Sequence, residues 1–328
     1  MLPLPGDDEV LHALARRRDG GGRADGHRIA LVVSGGGMRG VYAGGMAHAL
    51  DDAGLGDCFD VVYGSSAGAY IGGALLLGDG RGAAHIFFED MACRAFIDPR
   101  RLGTRRPMVS LDHLLGHILT VAKPLVWERL VGSPLRVVAT AADDLTGHVL
   151  EPRSAPEWRL ALRATAAIPV LAGPAVRLHG RRWIDGSVAE PLPVQRALRD
   201  GATHVLALLN RTLPELRAAD PGAGPARWAR ALDRLAPGLG AMAQESARHG
   251  PSLAVLDDAG HPSRDGAHLL AVLPTDDVGV RGLTVDAARV ERAARVGYAS
   301  MQAALSRADG TAPGRPDRGR TGSVGSGP

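Results

Sequence analysis

Three groups of residues in this chain have the types and spacing to act together. The sharpest is Gly64-Ser-Ser-Ala-Gly68, a G-x-S-x-G pattern centred on Ser66. Glycines at its two ends allow the tight strand-to-helix turn that lifts a serine hydroxyl above a sheet edge as a nucleophile. Ser65, one position earlier, misses the centre of that turn. Upstream, Gly35-Gly-Gly-Met-Arg-Gly40 follows an apolar run and opens a helical pattern. Glycines placed there let backbone N–H groups converge on negative charge at a helix N-terminus, either a phosphate or a developing oxyanion. Downstream, Trp183-Ile-Asp-Gly-Ser187 puts Asp185 after a short strand. A carboxylate hydrogen-bonded to the serine from there can accept its proton.

Each group admits a second reading. Gly35–Gly40 also satisfies G-x-G-x-x-G, so a dinucleotide- or phosphate-binding module is the alternative function. Against it, the second strand begins with Asp60 instead of ending in an acid. A Ser-His-Asp hydrolase would draw its base from His204, His249, His261 or His268. None of them lies in a recognisable loop signature, and the elbow comes early for that fold. Asp185-Gly186 alone is a common turn. Asp143 and Asp144 read as turn residues before Thr146-Gly147, so neither a metal nor a cofactor is expected.

Taken in series, the motifs resemble those of the patatin-like phospholipase family. Gly35–Gly40 is similar to its oxyanion loop, Gly64–Gly68 to its nucleophile elbow and Asp185-Gly-Ser187 to its aspartate motif. Arg163-Ala-Thr-Ala-Ala-Ile-Pro169, with Pro174 beyond, resembles the block before that aspartate. Order and spacing agree over roughly residues 28–200, whereas 210–306 carries no motif of the family. The resemblance implies a mainly parallel central sheet sandwiched by helices in three α/β/α layers. It implies Ser66 as nucleophile, Asp185 as base, and amides of Gly36, Gly37 and Met38 as the oxyanion hole, with Arg39 holding the loop. The reaction implied is ester hydrolysis of phospholipids or related lipids, of phospholipase A type. Ser187 stands where the family has Gly or Ala, and its hydroxyl is expected to add a hydrogen bond near the carboxylate.

The elements that must carry these motifs follow from the apolar pattern. Residues 28–33 form a continuous apolar run, as in a buried parallel strand, and 59–63 a second. Helices are predicted over 42–53, 67–77, 83–96, 111–121, 156–167 and 285–307, with further strands at 135–141, 148–151, 176–178, 182–184, 204–209 and 268–273. Strands alternating with helices argue for an α/β fold on a mainly parallel sheet. Residues 1–27, with five acids and four arginines, are expected to be a weakly ordered extension with one short helix around Leu11–Arg17. The Gly/Pro/Arg/Ser run over 307–328 is expected to be a disordered tail, leaving 28–306 as the folded domain.

Composition bounds the rest. The chain has 328 residues, 45% of them hydrophobic and 22% charged, which excludes a disordered or fibrous protein. Glycine contributes 44 residues, and 14 of these fall within 35–80, where the loop and the elbow lie. Two cysteines, Cys58 and Cys93, make no disulfide framework, and the N-terminus lacks a basic-then-apolar leader, so a cytoplasmic location is expected. The net charge is only +3. Arg94–Arg106 nevertheless holds five arginines against one acid, next to a stretch with three of the four phenylalanines. That segment is expected to make transient contact with an anionic lipid surface or headgroup. No nucleic-acid-reading motif is present.

Overall fold

The computed structural model describes residues 6–217, 240, 249–257, 266–308 and 310. The expected apolar runs become strands β1 (Ile29–Val33), β2 (Val61–Ser65), β3 (Leu135–Ala141), β4 (Gly147–Leu150), β5 (Val176–Leu178), β6 (Arg181–Ile184), β7 (His204–Leu208) and β8 (His268–Val272). They form one sheet in the order β5-β6-β3-β2-β1-β7-β8, with β4 beside β3. From β3 through β2, β1 and β7 to β8 the pairing is parallel. Strands β4, β6 and β5 are antiparallel and cover the β3 side. The central strands β1, β2 and β7 are buried at every residue, as a sheet covered on both faces requires.

Alternation along β1 separates the two faces. Ile29, Leu31 and Val33 join the larger core with residues of helices α2 (Val41–Asp52), α3 (Ala67–Leu76), α4 (Gly80–Ile86) and α5 (Ala155–Thr165), and of α9 (Ala287–Ala308). Ala30 and Val32 point the other way, to Val194 and Ala197 of α6 (Val194–Arg199), Leu216 of α7 (Leu213–Arg217) and Leu256 of α8 (Gly250–Asp257). The result is a three-layer α/β/α architecture. Helices α2 and α9 approach until their backbones touch. A Cβ at Gly45 would run into the Ala294 carbonyl, and one at Gly297 into that of Tyr42.

Three expectations change. The short helix expected around Leu11–Arg17 is present as α1 (Glu9–Arg16), but it is docked and not part of a loose extension: Val10, Leu11, Ala13 and Leu14 are buried in the main core. Arg17 behind it is also buried, donating to both Asp25 oxygens at 2.8 and 2.9 Å and to Asp60 at 2.7 Å. The acids and arginines of this segment are thus partly paired inside the protein. Secondly, the helix expected over 83–96 ends early, with a wide π turn at Phe87–Met91. The one expected over 111–121 is π-helical across His113–Ala122. Such stretches are rare and concentrate at functional sites. Thirdly, α9 reaches Ala308, so the expected tail begins later; 309 and 311–328 lie outside the described residues.

Candidate active site

Strand β2 ends at Ser65 and α3 begins at Ala67, so Ser66 alone makes the turn, at φ 53° and ψ −125°. A side chain at positive φ is strained and persists only where its surroundings hold it. Here the Ser66 N–H donates to Thr165 Oγ1 at 2.8 Å, and Thr165 Oγ donates onward to the Val138 carbonyl of β3. The helix can start this close to the sheet because position 68 has no Cβ; one there would strike the Val33 carbonyl. Ser65 faces away, donating to the Glu190 carbonyl at 2.6 Å.

Asp185 follows β6 and begins a short 3-10 turn, Gly186–Val188. One carboxylate oxygen accepts the Ser187 N–H at 2.8 Å, and the other accepts the Ser66 hydroxyl at 2.8 Å. Asp185 is fully buried and Ser66 is 6% exposed. A buried carboxylate is costly unless its oxygens are hydrogen-bonded, and both are. Thr140 on β3 fixes the backbone at this point by donating to the Asp185 carbonyl at 2.8 Å. The Ser187 hydroxyl does not add the expected bond. It is buried beside Gly35 without a partner among the described residues, and the Ser187 backbone reaches the carboxylate instead.

The glycine loop lies alongside. Gly36 and Gly37 adopt φ values of 148° and 57°, where L side chains are disfavoured. Its amides divide into two sets. Gly35 donates to the Pro191 carbonyl at 3.1 Å, Met38 to that of Gly282 at 3.0 Å and Arg39 to that of Gly36 at 3.2 Å. The N–H groups of Gly36 and Gly37 donate to no acceptor among the described residues. The expectation of three free amides therefore narrows to two, because a loop ahead of α9 places the Gly282 carbonyl on Met38.

Residues without any motif fasten this loop. The buried Asn210, just past β7, donates from Nδ2 to the Gly35 carbonyl. Arg39, 4% exposed, donates to Glu215 at 2.6 Å, and the second Glu215 oxygen accepts the Thr212 N–H at 3.1 Å. Thr165, Thr140, Asn210, Glu215 and Gly282 were not singled out in the sequence. Only Thr165 lay inside a recognised block.

Ser66 lines a cavity of about 60 Å³. Its walls are Met38, Phe87, Met91, Phe96, Ile97, Val109, six leucines and Ile168, so both π-helical segments contribute. The lining carries two hydroxyls, those of Ser66 and Tyr70. Tyr70 turns its own toward the Gly82 carbonyl at 3.2 Å, and burial pushes its pKa far up. The pocket is thus an apolar slot with a single reactive oxygen at its base.

The alternative bases lie elsewhere. His204 and His268 begin β7 and β8, at the opposite end of the parallel strands from Ser66. His249 is buried with Nε2 3.5 Å from Ser34 Oγ, and His261 lies outside the described residues. Asp60, the acid a dinucleotide site would need, accepts from the Ile29 N–H and from Arg17, both at 2.7 Å. Asp143 and Asp144 pair with Arg181.

The sequence model described as Patatin-like phospholipase matches residues 31–198, about half of the chain and the span holding all the motifs. The chain belongs to the patatin-like phospholipase family. It is 29% identical over 192 residues to "Uncharacterized protein YjjU" of Escherichia coli (strain K12), covering 57% of this chain and 52% of that one. The chain therefore spans about half the length of the curated relative it matches. The crystal structure of VipD from Legionella pneumophila superposes with a TM-score of 0.41 and 15% identity over 86% of this chain and 67% of that one. The patatin-like match ends before Asn210, Glu215 and Gly282, the residues that tie down its glycine loop. Among the described residues, no helix is long and apolar enough to cross a membrane.

Proposed function

We propose that this protein is a serine acyl hydrolase that cleaves carboxylic esters of phospholipids or related lipids through a Ser66–Asp185 dyad. The observation that carries the reading is the 2.8 Å hydrogen bond from Ser66 Oγ to Asp185, at the base of an apolar slot. Asp185 takes the hydroxyl proton as Ser66 Oγ adds to the ester carbonyl carbon. The resulting oxyanion is stabilised by the Gly36 and Gly37 amides, a contribution worth about 10²–10³ in kcat per donor. Collapse expels the alcohol, which receives the proton from Asp185. Water then enters, gives its proton to Asp185, and adds to the acyl-enzyme; the acid departs and Ser66 is reprotonated. An acyl chain in the slot and an exposed alcohol portion match a lipid ester of phospholipase A type. The basic stretch Arg94–Arg106 includes Phe96 and Ile97, which line the slot.

A fluorophosphonate probe tests the reading. Labelling of the purified chain that disappears in Ser66→Ala, with hydrolysis of short-chain esters lost in Asp185→Asn, is the expected result. Retained activity in Asp185→Asn, or activity lost in His249→Ala with the fold intact, would overturn the dyad. The dinucleotide alternative predicts stabilisation by NADH and no labelling.

A further inference from the structure

Among the described residues, eight large hydrophobic side chains are exposed. Four of them, Leu102 (61%), Val170 (51%), Leu283 (40%) and Val285 (40%), stand on three separate segments, each of which also supplies lining residues of the Ser66 slot: Ile97 and Val109, Ile168, and Leu283. Leu283 lines the slot directly. Val170 lies two residues beyond Ile168, which also lines it, at a φ of 67°. A β-branched residue in that conformation is a genuine outlier, and folding gains nothing from exposing it there. Leu102 sits in a loop that leaves the slot wall after Ile97 and returns at Val109. Its base is closed by the Ile97–Val109 bridge and an Asp98 N–H donated to the Met108 carbonyl at 2.9 Å. The Val109 N–H in turn donates to the Leu171 carbonyl, joining this loop to the Val170 turn.

Charge accompanies the apolar rim. The loop is held in shape from within: Arg101 donates to the carbonyls of Arg94 and Ala95, and Thr104 Oγ1 to that of Arg101 at 2.7 Å. Arg100 and Arg101 face Asp98 at 3.8 and 4.0 Å. Arg94, Arg105 and Arg106 are exposed and meet no acid among the described residues. Exposed apolar side chains and uncommitted arginines carried by the same loop are the combination that inserts side chains below an anionic headgroup layer while guanidinium groups stay among the phosphates.

We infer that the slot mouth is a docking face for an anionic lipid bilayer, with Leu102, Val170 and Leu283 entering the acyl boundary and Arg94, Arg105 and Arg106 binding headgroup phosphates. The inference rests on the lipid-ester reading of the slot, and it adds the surface from which the ester is drawn. Docked this way, the opening faces the bilayer, and an acyl chain reaches Ser66 without crossing water.

Vesicle flotation with the full chain carrying Ser66→Ala, which removes turnover, tests the inference. Strong binding to phosphatidylcholine vesicles containing phosphatidylglycerol, weak binding to phosphatidylcholine alone and release by added salt are expected. The triple variant R94Q/R105Q/R106Q is expected to lose on the order of 100-fold in binding, since each basic residue near an anionic surface contributes about fivefold. Leu102→Asp should weaken binding to both compositions. In the Ser66 background, none of these substitutions should alter hydrolysis of a water-soluble short-chain ester. Absent binding, equal binding to the two vesicle types, or undiminished binding by the triple variant overturns the inference. So does a concentration-dependent dimer that Leu102→Asp dissolves without any vesicle binding, which would assign the rim to a second copy of the chain. Failure of the underlying reading shows separately, as absent hydrolysis of the soluble ester whether or not the vesicles bind.

Discussion

The two ends of the parallel strands hold their polar side chains in opposite ways. At the carboxyl ends of β2 and β1, Ser66 keeps a strained backbone and two amides of the glycine loop have no acceptor among the described residues. At the amino ends, Arg17 engages Asp25, Asp60 and two carbonyls, those of Cys58 and His27. Beside it the His204 ring meets His27 edge-on at 4.4 Å and stacks on His268 at 4.7 Å, with Asp7 on His268. Both ends bury charge within one sheet. The amino end pairs its ionic groups with each other and leaves the buried His204 Nε2 without a partner among the described residues, while the other end leaves two donors beside a nucleophile for something that arrives. Unused donors gathered around a nucleophile, more than burial, charge or a single orphaned atom, separate a reactive site from a structural one.

That contrast can be broken at either end. The largest effect is expected for Ser66→Ala and Asp185→Asn: a loss of about 10⁴-fold in kcat with little change in Tm, read by ester hydrolysis and thermal melting. A Tm collapse in either would place the pair among the structural groups. Arg17→Ala should do the reverse. Leaving Asp25 and Asp60 without their buried cation should lower stability by about 3–5 kcal/mol in urea unfolding, with kcat per folded molecule unchanged. Asn210→Ala releases the Gly35 carbonyl and should reduce kcat by about 10–100-fold at near-constant KM, as expected when an oxyanion donor loses its position. A change confined to KM would show that Asn210 shapes the slot instead.

The smallest effect concerns pH. Burial pushes the His204 imidazole down to about 4, aided by the neighbouring His27 and His268, while Glu9 opposes the shift. The unfolded chain then binds the proton more readily than the folded one. The stability contributed is complete above about pH 6.5 and declines as pH falls toward 4, by on the order of 1 kcal/mol. Urea midpoints measured across that window should drop in the parent and stay flatter in His204→Phe; parallel slopes would remove His204 as the cause.

Much of the site was legible because its demands are local. A nucleophile elbow needs glycine on both sides of its serine, and Gly64 and Gly68 announce that in the sequence; the positive φ at Ser66 is the same fact seen in the backbone. The strands were readable because a two-sided sheet leaves continuous apolar runs. What escaped is what depends on distant contact. Asn210 and Gly282 look like ordinary loop residues until the chain brings them to Gly35 and Met38. The wide π turns at Phe87–Met91 and His113–Ala122 keep an apolar pattern close enough to that of an α-helix to pass for one. The short helix near Leu11–Arg17 was legible but its docking was not, since nothing in the sequence distinguishes an arginine bound for the interior, as Arg17 is, from one left in water.

The contact between α2 and α9 bears on how this protein can be divided. The family match ends at 198, yet Gly45 of the helix that follows the glycine loop lies against the Ala294 carbonyl, and Gly297 against that of Tyr42. A fragment cut after 198 would also leave β1 without β7, baring one long edge of its buried central strand. The span defined by the motifs is therefore not a portable module. Fusions or deletions that keep the recognisable half and discard the rest should yield insoluble chains, and the workable boundary for transplanting this site lies beyond α9.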